Sequence, residues 1–148
     1  MRFHKSSHSI YRTEYHLVWI PRYRRKIFVQ GMKQYTMKQY TEKLLSHLPN
    51  LAPDIEVVKL NVQLNHVHMV IIIPPRFAVA EVVSFIKVES VKALRAKFPF
   101  LKQLFMTEGI WATGYCVSSI GLNEKEILRY VQYQEKDDKG QLQISITK

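Results

Sequence analysis

Cysteine is almost absent from the sequence, because Cys116 is the only one among 148 residues. One cysteine cannot form an intrachain disulfide, so a reducing compartment and a fold held by its core are expected. No apolar run approaches the roughly 20 residues that a membrane-spanning helix needs. Residues 1–16 also lack the apolar core of a signal peptide. These absences predict a soluble, cytoplasmic protein.

Acidic residues are scarce relative to basic ones, since 12 aspartates and glutamates stand against 22 lysines and arginines. The formal net charge is therefore +10. Such an excess indicates a polyanionic partner, either nucleic acid or an anionic membrane surface. A basic surface kept for solubility is the alternative interpretation.

Glycine and proline are also few, with 5 and 6 residues, and no linker divides the single domain predicted over residues 1–148. Hydrophobic periodicity predicts a strand over 10–20, a helix over 32–48, strands over 55–63 and 66–73, a helix over 78–97, a strand over 111–120 and a helix capped by Asn123 and Glu126. The first six elements match a ferredoxin-like α+β fold, an antiparallel sheet with helices on one face. We expect flexible tails over 1–9 and 136–148, although the second could pair as an edge strand.

Two histidines, His66 and His68, stand at the head of the apolar strand HVHMVIII, residues 66–73. Side chains two apart in a strand share a face, with Cα atoms roughly 6.5 Å apart, so Val67 points to the other face. Two imidazoles at this spacing can chelate one metal ion, and Asn65 could supply a hydrogen bond behind them. The alternative is a pair of half-exposed histidines on the solvent side of a sheet.

The last predicted helix has a face that should be buried, yet half of that face is polar. A tyrosine hydroxyl and an amide aimed inward need partners, so Tyr130 and Gln134, one turn apart, are candidate functional residues. The alternative is a core tyrosine whose hydroxyl reaches the surface. Tyr133 is a rival tyrosine, but it has no partner comparable to Gln134. The stripe consists of Ile127, Tyr130, Val131 and Gln134.

These motifs resemble those of a known family. His66-Val67-His68 is similar to the His-hydrophobic-His motif of HUH nucleases. Tyr130-x-x-x-Gln134 resembles the single-tyrosine helix of the small single-strand transposases of the IS200/IS605 insertion sequences. The resemblance covers roughly residues 10–135 and includes three further segments: TEYHLVWIPRYRRKIF (13–28), IIIPPRFAVAEVVSFIK (71–87) and WATGYCVSSIGLNEKEILRYVQYQ (111–134).

The resemblance implies a metal-dependent tyrosine nuclease and strand transferase. His66, His68 and Gln134 would hold a divalent cation, Mg²⁺ or Mn²⁺, at the scissile phosphate of single-stranded DNA. The mixed nitrogen and oxygen ligands and the lack of a cysteine at the site argue against structural zinc. Tyr130 would attack the phosphorus and form a 5′-phosphotyrosine link, leaving a free 3′-OH. Because the ordinary pKa of tyrosine is near 10, the cation is the candidate activator.

The resemblance also implies partners. Similar transposases are prokaryotic homodimers in which the tyrosine helix of one subunit can complete the histidine site of the other. They act at the nucleoid on DNA hairpins, with no membrane partner. Gly114 or Gly121 is a candidate hinge for the helix, although an ordinary turn glycine is the preferred interpretation. Tyr23 or Phe28 could stack on an unpaired base. Candidate DNA-binding residues are Arg22, Tyr23, Arg24, Arg25, Lys26, Lys87, Lys92 and Arg95.

Two positions depart from the pattern of the family. Asn65 stands where relatives often have aspartate, and Val88 stands where they commonly have glycine after the lysine. Neither change touches the chemistry, but both concern local DNA contacts. His16, on the first strand, is interpreted as structural or close to DNA. Two alternatives stay open: a domesticated relative that cuts repeated hairpins without moving an element, and a non-enzymatic ferredoxin-like nucleic-acid binder.

Overall fold

The computed structural model describes residues 3–22, 31–48, 50–63, 65–99, 101 and 109–147, without the side chains of 31–37 and 138–147. In chain order, the elements within these ranges are β1 (His4–Lys5), β2 (Ile10–Tyr11), β3 (Glu14–Trp19), α1 (Gly31–Ser46), β4 (Glu56–Val62), β5 (Val67–Ile72), α2 (Val79–Lys97), β6 (Cys116–Ser118) and α3 (Glu124–Thr147).

Four strands form one antiparallel sheet in the order β4-β5-β3-β6. β3 and β5 are central, and β3 pairs with β5 from Glu14–Ile72 to Trp19–Val67. This is the ferredoxin-like arrangement that the order of elements predicted, with each helical crossover returning to a strand of the same sheet. The central pair positions the site, because β5 carries His68.

One face of the sheet holds the main core. Alternate residues of β3 and β5 point to this face and are almost completely buried: Leu17, Trp19, Met69 and Ile71. The helices α1 and α2 cover them with the stripes that the periodicity predicted. The buried side chains of those stripes are Leu45, Leu48, Val82, Val83, Ile86 and Leu94.

The opposite face is covered in part by α3. Val18 and Ile20 of the β3 segment pack there with Ile127 and Val131 of the helix and with Ala112. The predicted capping box starts α3, since the backbone N–H of Glu126 donates to Asn123 Oδ1 (2.8 Å) and that of Asn123 to Glu126 Oε1 (3.2 Å). The sequence pattern therefore fixes both where α3 begins and which side it buries.

Both predicted tails contain regular structure. β1 pairs with β2, and His4 stacks on Tyr11 with ring centroids 5.5 Å apart. The last helix continues to Thr147, so residues 136–147 are helical and do not form an edge strand. The sequence has no proline after residue 123, and Gly140 costs a helix only about 1 kcal/mol. Polar composition alone was therefore a poor sign of where the helix ends.

The predicted strand over 111–120 is regular only at Cys116–Ser118. Trp111 forms an isolated bridge with Pro21. Its indole N–H donates to Ser90 Oγ on α2 (2.8 Å), and its ring packs edge-on against Trp19 with centroids 5.9 Å apart. Backbone bonds from Ala112 N–H to the Ile20 carbonyl (2.9 Å) and from Arg22 N–H to the Ile110 carbonyl (2.8 Å) add to these side-chain contacts, so the segment before β6 is held without a continuous strand ladder.

Candidate active site

His66 lies immediately before β5 and is buried, with 8% of its surface exposed. Its Nδ1 is 2.9 Å from Asn65 Oδ1. An amide oxygen only accepts, so His66 Nδ1 carries the hydrogen and its Nε2 keeps a free lone pair. The predicted hydrogen bond between His66 and Asn65 is present, with Asn65 as the acceptor, and it orients the His66 ring as the partner of a metal-binding histidine would.

His68 is half-buried on β5, where it pairs in register with Val18 of β3. Its Nε2 lies 3.1 Å from Nδ1 of His16. Burial lowers the pKa of His66 and of His68, and for His68 the neighbouring His16, His66 and Lys59 lower it further. Both rings are therefore neutral at lower pH than an exposed histidine, and the neutral ring is the form that binds metals.

A cleft of about 630 Å³ opens over the histidine pair. Its walls are the β4–β5 hairpin, with Asn61 and Gln63, and the start of α3, with Leu122 and Glu124. Glu124 opposes the effect of burial on His66 by raising its pKa. The first turn of the tyrosine helix therefore borders the histidines.

Tyr130 and Gln134 share one face of α3, as the spacing predicted. The Tyr130 hydroxyl donates to Gln134 Oε1 at 3.3 Å, and Gln134 is buried with 6% exposed. Burial raises the pKa of Tyr130, and Cys116 and Asp137 add to the rise. By contrast, Tyr133 is 67% exposed. The candidate nucleophile is therefore a protonated phenol that its own fold shields.

The Gln134 side chain packs directly against Gly114. A Cβ at Gly114 would lie 2.7 Å from Gln134 Oε1 and 3.2 Å from its Cδ and Nε2, closer than side-chain atoms approach. The lack of a side chain at Gly114 thus leaves room for the Gln134 amide, which would otherwise have to shift. This role differs from the hinge that the sequence suggested. The amide is packed on this turn.

The two halves of the predicted site lie over different strands of the sheet within the described residues. Tyr130 packs beside Cys116 on β6. Cys116 pairs with Val18 of β3, and Val18 pairs on its other side with His68 of β5. Two strand spacings of about 4.8 Å place β6 about 10 Å from β5. Within the described ranges, no three His, Cys, Asp or Glu side chains are grouped to hold a metal ion.

Two of the predicted DNA-binding residues hold the backbone of the segment 109–114. Arg22 Nε donates to the carbonyl of Gly109 at 3.2 Å. Lys87 Nζ donates to the carbonyls of Ala112 (2.9 Å) and Gly114 (2.8 Å). Burial lowers the pKa of Lys87 to about 8. The bonds of Lys87 connect α2 to the turn at Gly114, against which the Gln134 side chain packs.

The remaining basic candidates are placed differently. Lys92 is exposed on α2 with Nζ 3.7 Å from Glu89 Oε1, and Arg95 is half-buried on the same helix. This helix packs on the sheet face opposite to the histidines. The other candidates lie outside the described residues: Tyr23, Arg24, Arg25, Lys26 and the stacking candidate Phe28.

Comparisons with known proteins assign the chain with this sheet, histidine pair and C-terminal helix to the DNA transposases. The sequence profile of the family described as "Transposase IS200 like" matches residues 9–134. The chain belongs to this family, the IS200-like transposases of the IS200/IS605 group. Members are enzymes that cleave and transfer DNA.

Individual relatives agree with the family assignment. The transposase of insertion sequence element IS200 from Salmonella typhimurium is 29% identical over 140 residues, 95% of this chain and 88% of that protein. The ISDra2 transposase TnpA of Deinococcus radiodurans is 26% identical over 84% of this chain and 86% of its own length. A crystal structure of a Deinococcus radiodurans protein described as a transposase superposes with a TM-score of 0.72 at 26% identity, covering 88% of this chain and 97% of that one.

No helix within the described ranges combines the length and the apolar composition that a membrane crossing requires.

The contact between Gly114 and Gln134 predicts that Gly114→Ala displaces the amide. Because the clashing atoms are the far end of a flexible side chain, we expect the fold to survive and Gln134 to lose its hydrogen bond with Tyr130 in α3, about 1 kcal/mol. Amide hydrogen exchange over residues 124–137 should become about fivefold faster, because a loss of about 1 kcal/mol makes local opening of the helix about five times more frequent. Gly109→Ala is the matched control, since its Cβ would meet only Trp111 O at 3.7 Å. Unchanged exchange in Gly114→Ala would contradict this account.

The buried Lys87 predicts a pH-dependent stability. Its pKa is about 8 in the fold against 10.5 ordinarily, so between these values the unfolded chain binds more protons than the folded chain. The free energy of unfolding should therefore rise with pH over this interval, with the cost of burying the charge fully present below pH 8. Urea unfolding from pH 7 to 10.5 should show a smaller rise in Lys87→Met than in the wild type. Lys92→Met, at a 71% exposed side chain, should follow the wild-type slope, and three equal slopes would refute the prediction.

Proposed function

We propose that this transposase cleaves and rejoins single-stranded DNA at the ends of an insertion sequence through a 5′-phosphotyrosine bond on Tyr130. The observation that carries the proposal is the hydrogen-bonded pair of Tyr130 and Gln134 on a helix whose first turn borders the His66–His68 cleft. A non-enzymatic nucleic-acid binder has no use for this combination of side chains.

The donor atoms suit a hard or borderline divalent cation. His66 offers Nε2, Gln134 offers an amide oxygen, and burial keeps His68 neutral. This set fits Mg²⁺ or Mn²⁺ better than structural zinc. Cys116 lies near Tyr130, but burial raises the pKa of its thiol, so the thiolate that zinc needs is disfavoured. When bound, the cation polarises the scissile phosphate and stabilises the leaving 3′ oxygen.

The tyrosine supplies the covalent step. The Tyr130 oxygen attacks the phosphorus and loses its proton to solvent, while the bond from phosphorus to the 3′ oxygen breaks. The departing oxygen takes up a proton and becomes a free 3′-OH, and the 5′ side stays attached to Tyr130. A 3′-OH from another cleaved end then attacks this phosphorus and releases Tyr130. The phosphotyrosine conserves the bond energy, so joining needs no ATP.

The proposed reaction includes a movement of α3. Tyr130 is shielded beside β6 and Gln134 lies against Gly114, so the proposed movement takes the helix from this position to a histidine pair. The exposed Gly121 in the connection between β6 and α3 is the candidate hinge. In a homodimer, the same movement would deliver the helix to the site of the partner subunit.

Recognition of the DNA is assigned to basic side chains. The net charge of +10 suits a partner with a phosphate backbone, and hairpins at element ends are the proposed targets. Arg24, Arg25 and Lys26 are the leading contacts for phosphates, while Arg22 and Lys87 first serve to order residues 109–114.

A covalent-adduct assay tests the mechanism. Wild-type protein is mixed with end-labelled single-stranded DNA that carries the ends of its own element, in Mg²⁺, Mn²⁺ or EDTA, and run on a denaturing gel. We expect a shifted band that requires the metal and disappears in Tyr130→Phe and in His66→Ala/His68→Ala. Tyr133→Phe is the matched control and should keep the band.

The other outcomes separate the alternatives. Tight hairpin binding without any adduct would favour the binding module. An adduct that survives Tyr130→Phe and is lost in Tyr133→Phe would mean that Tyr133, and not Tyr130, is the nucleophile. Adduct formation on repeated chromosomal hairpins, with no element ends flanking the gene, would indicate the domesticated relative.

Mixing two inactive variants tests whether the helix acts across subunits. Tyr130→Phe keeps an intact histidine pair, and His66→Ala/His68→Ala keeps an intact tyrosine, so a shared dimer site combines both. We expect adduct formation to return when the two proteins are mixed and allowed to exchange subunits, because Tyr130 lies two strands from the His68 of its own chain. No recovery, despite mixed dimers demonstrated by differently tagged subunits, would mean that the helix serves its own histidines.

A further inference from the structure

His16 is a third imidazole beside the histidine pair, supplied by the neighbouring strand. Across β3 and β5, His16 pairs with Val70 and Val18 pairs with His68. Paired residues share a face of the sheet, so His16 lies one diagonal step from His68, within reach of its side chain. This step is in the direction away from His66, because Val70 follows His68 along β5.

The two rings face each other through nitrogen atoms. His16 Nδ1 is 3.1 Å from His68 Nε2, with ring centroids 5.3 Å apart and planes inclined by 31°. This is hydrogen-bonding distance. The other edge of the His16 ring, with Cε1 and Nε2, lies against the turn before α3, where a Cβ on Gly121 would come within 3.8 Å of both atoms. The ring of His16 is therefore held between His68 and that turn.

Only one direction of this hydrogen bond leaves His68 a nitrogen for a cation. If His16 Nδ1–H donated to His68 Nε2, a neutral His68 would carry its hydrogen on Nδ1 and would have no free lone pair. If His68 Nε2–H donates to His16 Nδ1, the lone pair of His68 Nδ1 stays free. His66 follows the same logic, because its Nδ1–H donates to Asn65 and its Nε2 is free.

We propose that His16 is a positioning residue of the metal site, which accepts a hydrogen bond from His68 Nε2–H and thereby fixes the orientation and tautomer of the His68 ring. Metal-binding histidines usually donate their second ring N–H to an acceptor such as a carboxylate, a carbonyl or water, and losing that acceptor weakens metal binding by about 10- to 100-fold. Here the ring nitrogen of His16 would take this place. The inference rests on the proposed function, since the cation is the one proposed above. It assigns His16 no contact with the cation or with DNA.

Nitrogen NMR of the imidazole rings tests the hydrogen bond without metal or DNA. In protein labelled with ¹⁵N in its histidines, at a pH where the rings are neutral, His68 should show one tautomer with Nε2 protonated and Nδ1 unprotonated. The exposed His47 should show the averaged shifts of a free imidazole. A His68 that averages in the same way, or that is protonated on Nδ1, would overturn the inference.

Metal affinity tests the consequence. Mn²⁺ binding is measured by the EPR signal of free Mn²⁺ for wild type, His16→Leu, His16→Asn and His47→Leu. We expect His16→Leu to bind about 10- to 100-fold more weakly. His16→Asn keeps an oxygen acceptor near the position of Nδ1 and should recover most of the affinity, and His47→Leu should match the wild type. Equal affinities in His16→Leu and wild type would refute the positioning role, and so would an equal loss in His16→Asn.

The two proposals fail in different ways. A fixed His68 tautomer with Mn²⁺ affinity that depends on His16, but no covalent adduct from wild type, would uphold the role of His16 and reject the nuclease mechanism. A metal-dependent adduct from wild type, together with a His16→Leu variant that folds and binds Mn²⁺ normally, would do the reverse. Circular dichroism of each variant establishes that it is folded before its affinity is compared.

Discussion

The antiparallel pairing of β3 with β5 is the interaction on which the rest of the molecule depends. Its six-residue register places Leu17 and Met69 towards α1 and α2, and it places Val18 and His68 on the other face. A slip of one residue would exchange the two faces and bury the histidine among leucines and isoleucines. Because burying an imidazole without a partner is costly, the hydrophobic core and the candidate active site support the same register.

The sheet face that carries His68 also packs against α3. Val18 and Ile20 bury Ile127 and Val131 of α3, which stabilises the helix on the sheet. The same contact buries Tyr130 and raises its pKa, so the phenol is a poor nucleophile while the helix is docked. Gln134 adds to this state by packing on Gly114, whose turn Lys87 holds through two carbonyls. Stability of the docked helix and reactivity of the tyrosine are thus opposed, and the proposed movement of α3 resolves that opposition.

Local patterns predicted most of the fold. The stripes of α1 and α2, the two central strands and the Asn123–Glu126 capping box follow from residues close together in sequence, and all are present. The predictions were wrong where long-range contacts compete with local pattern. Residues 111–115 read as strand, but their carbonyls bond to Lys87 and the Trp111 ring bonds to Ser90, so the ladder is confined to β6. The polar C-terminal segment continues the last helix, so the edge strand that was one alternative for it is not formed.

The sequence by itself determined the chemical identity of the candidate site: the His66–His68 spacing, the Tyr130–Gln134 turn and the basic charge, all set by a few neighbouring residues. Only the tertiary structure decided where these groups lie relative to one another. It placed Tyr130 beside Cys116 of β6, two strands from His68, and it placed Gln134 against Gly114. It also brought His16, 52 residues away in sequence, to within 3.1 Å of His68. Contacts of this kind depend on strand register and on the path of a loop, and helix and strand periods carry no information about either.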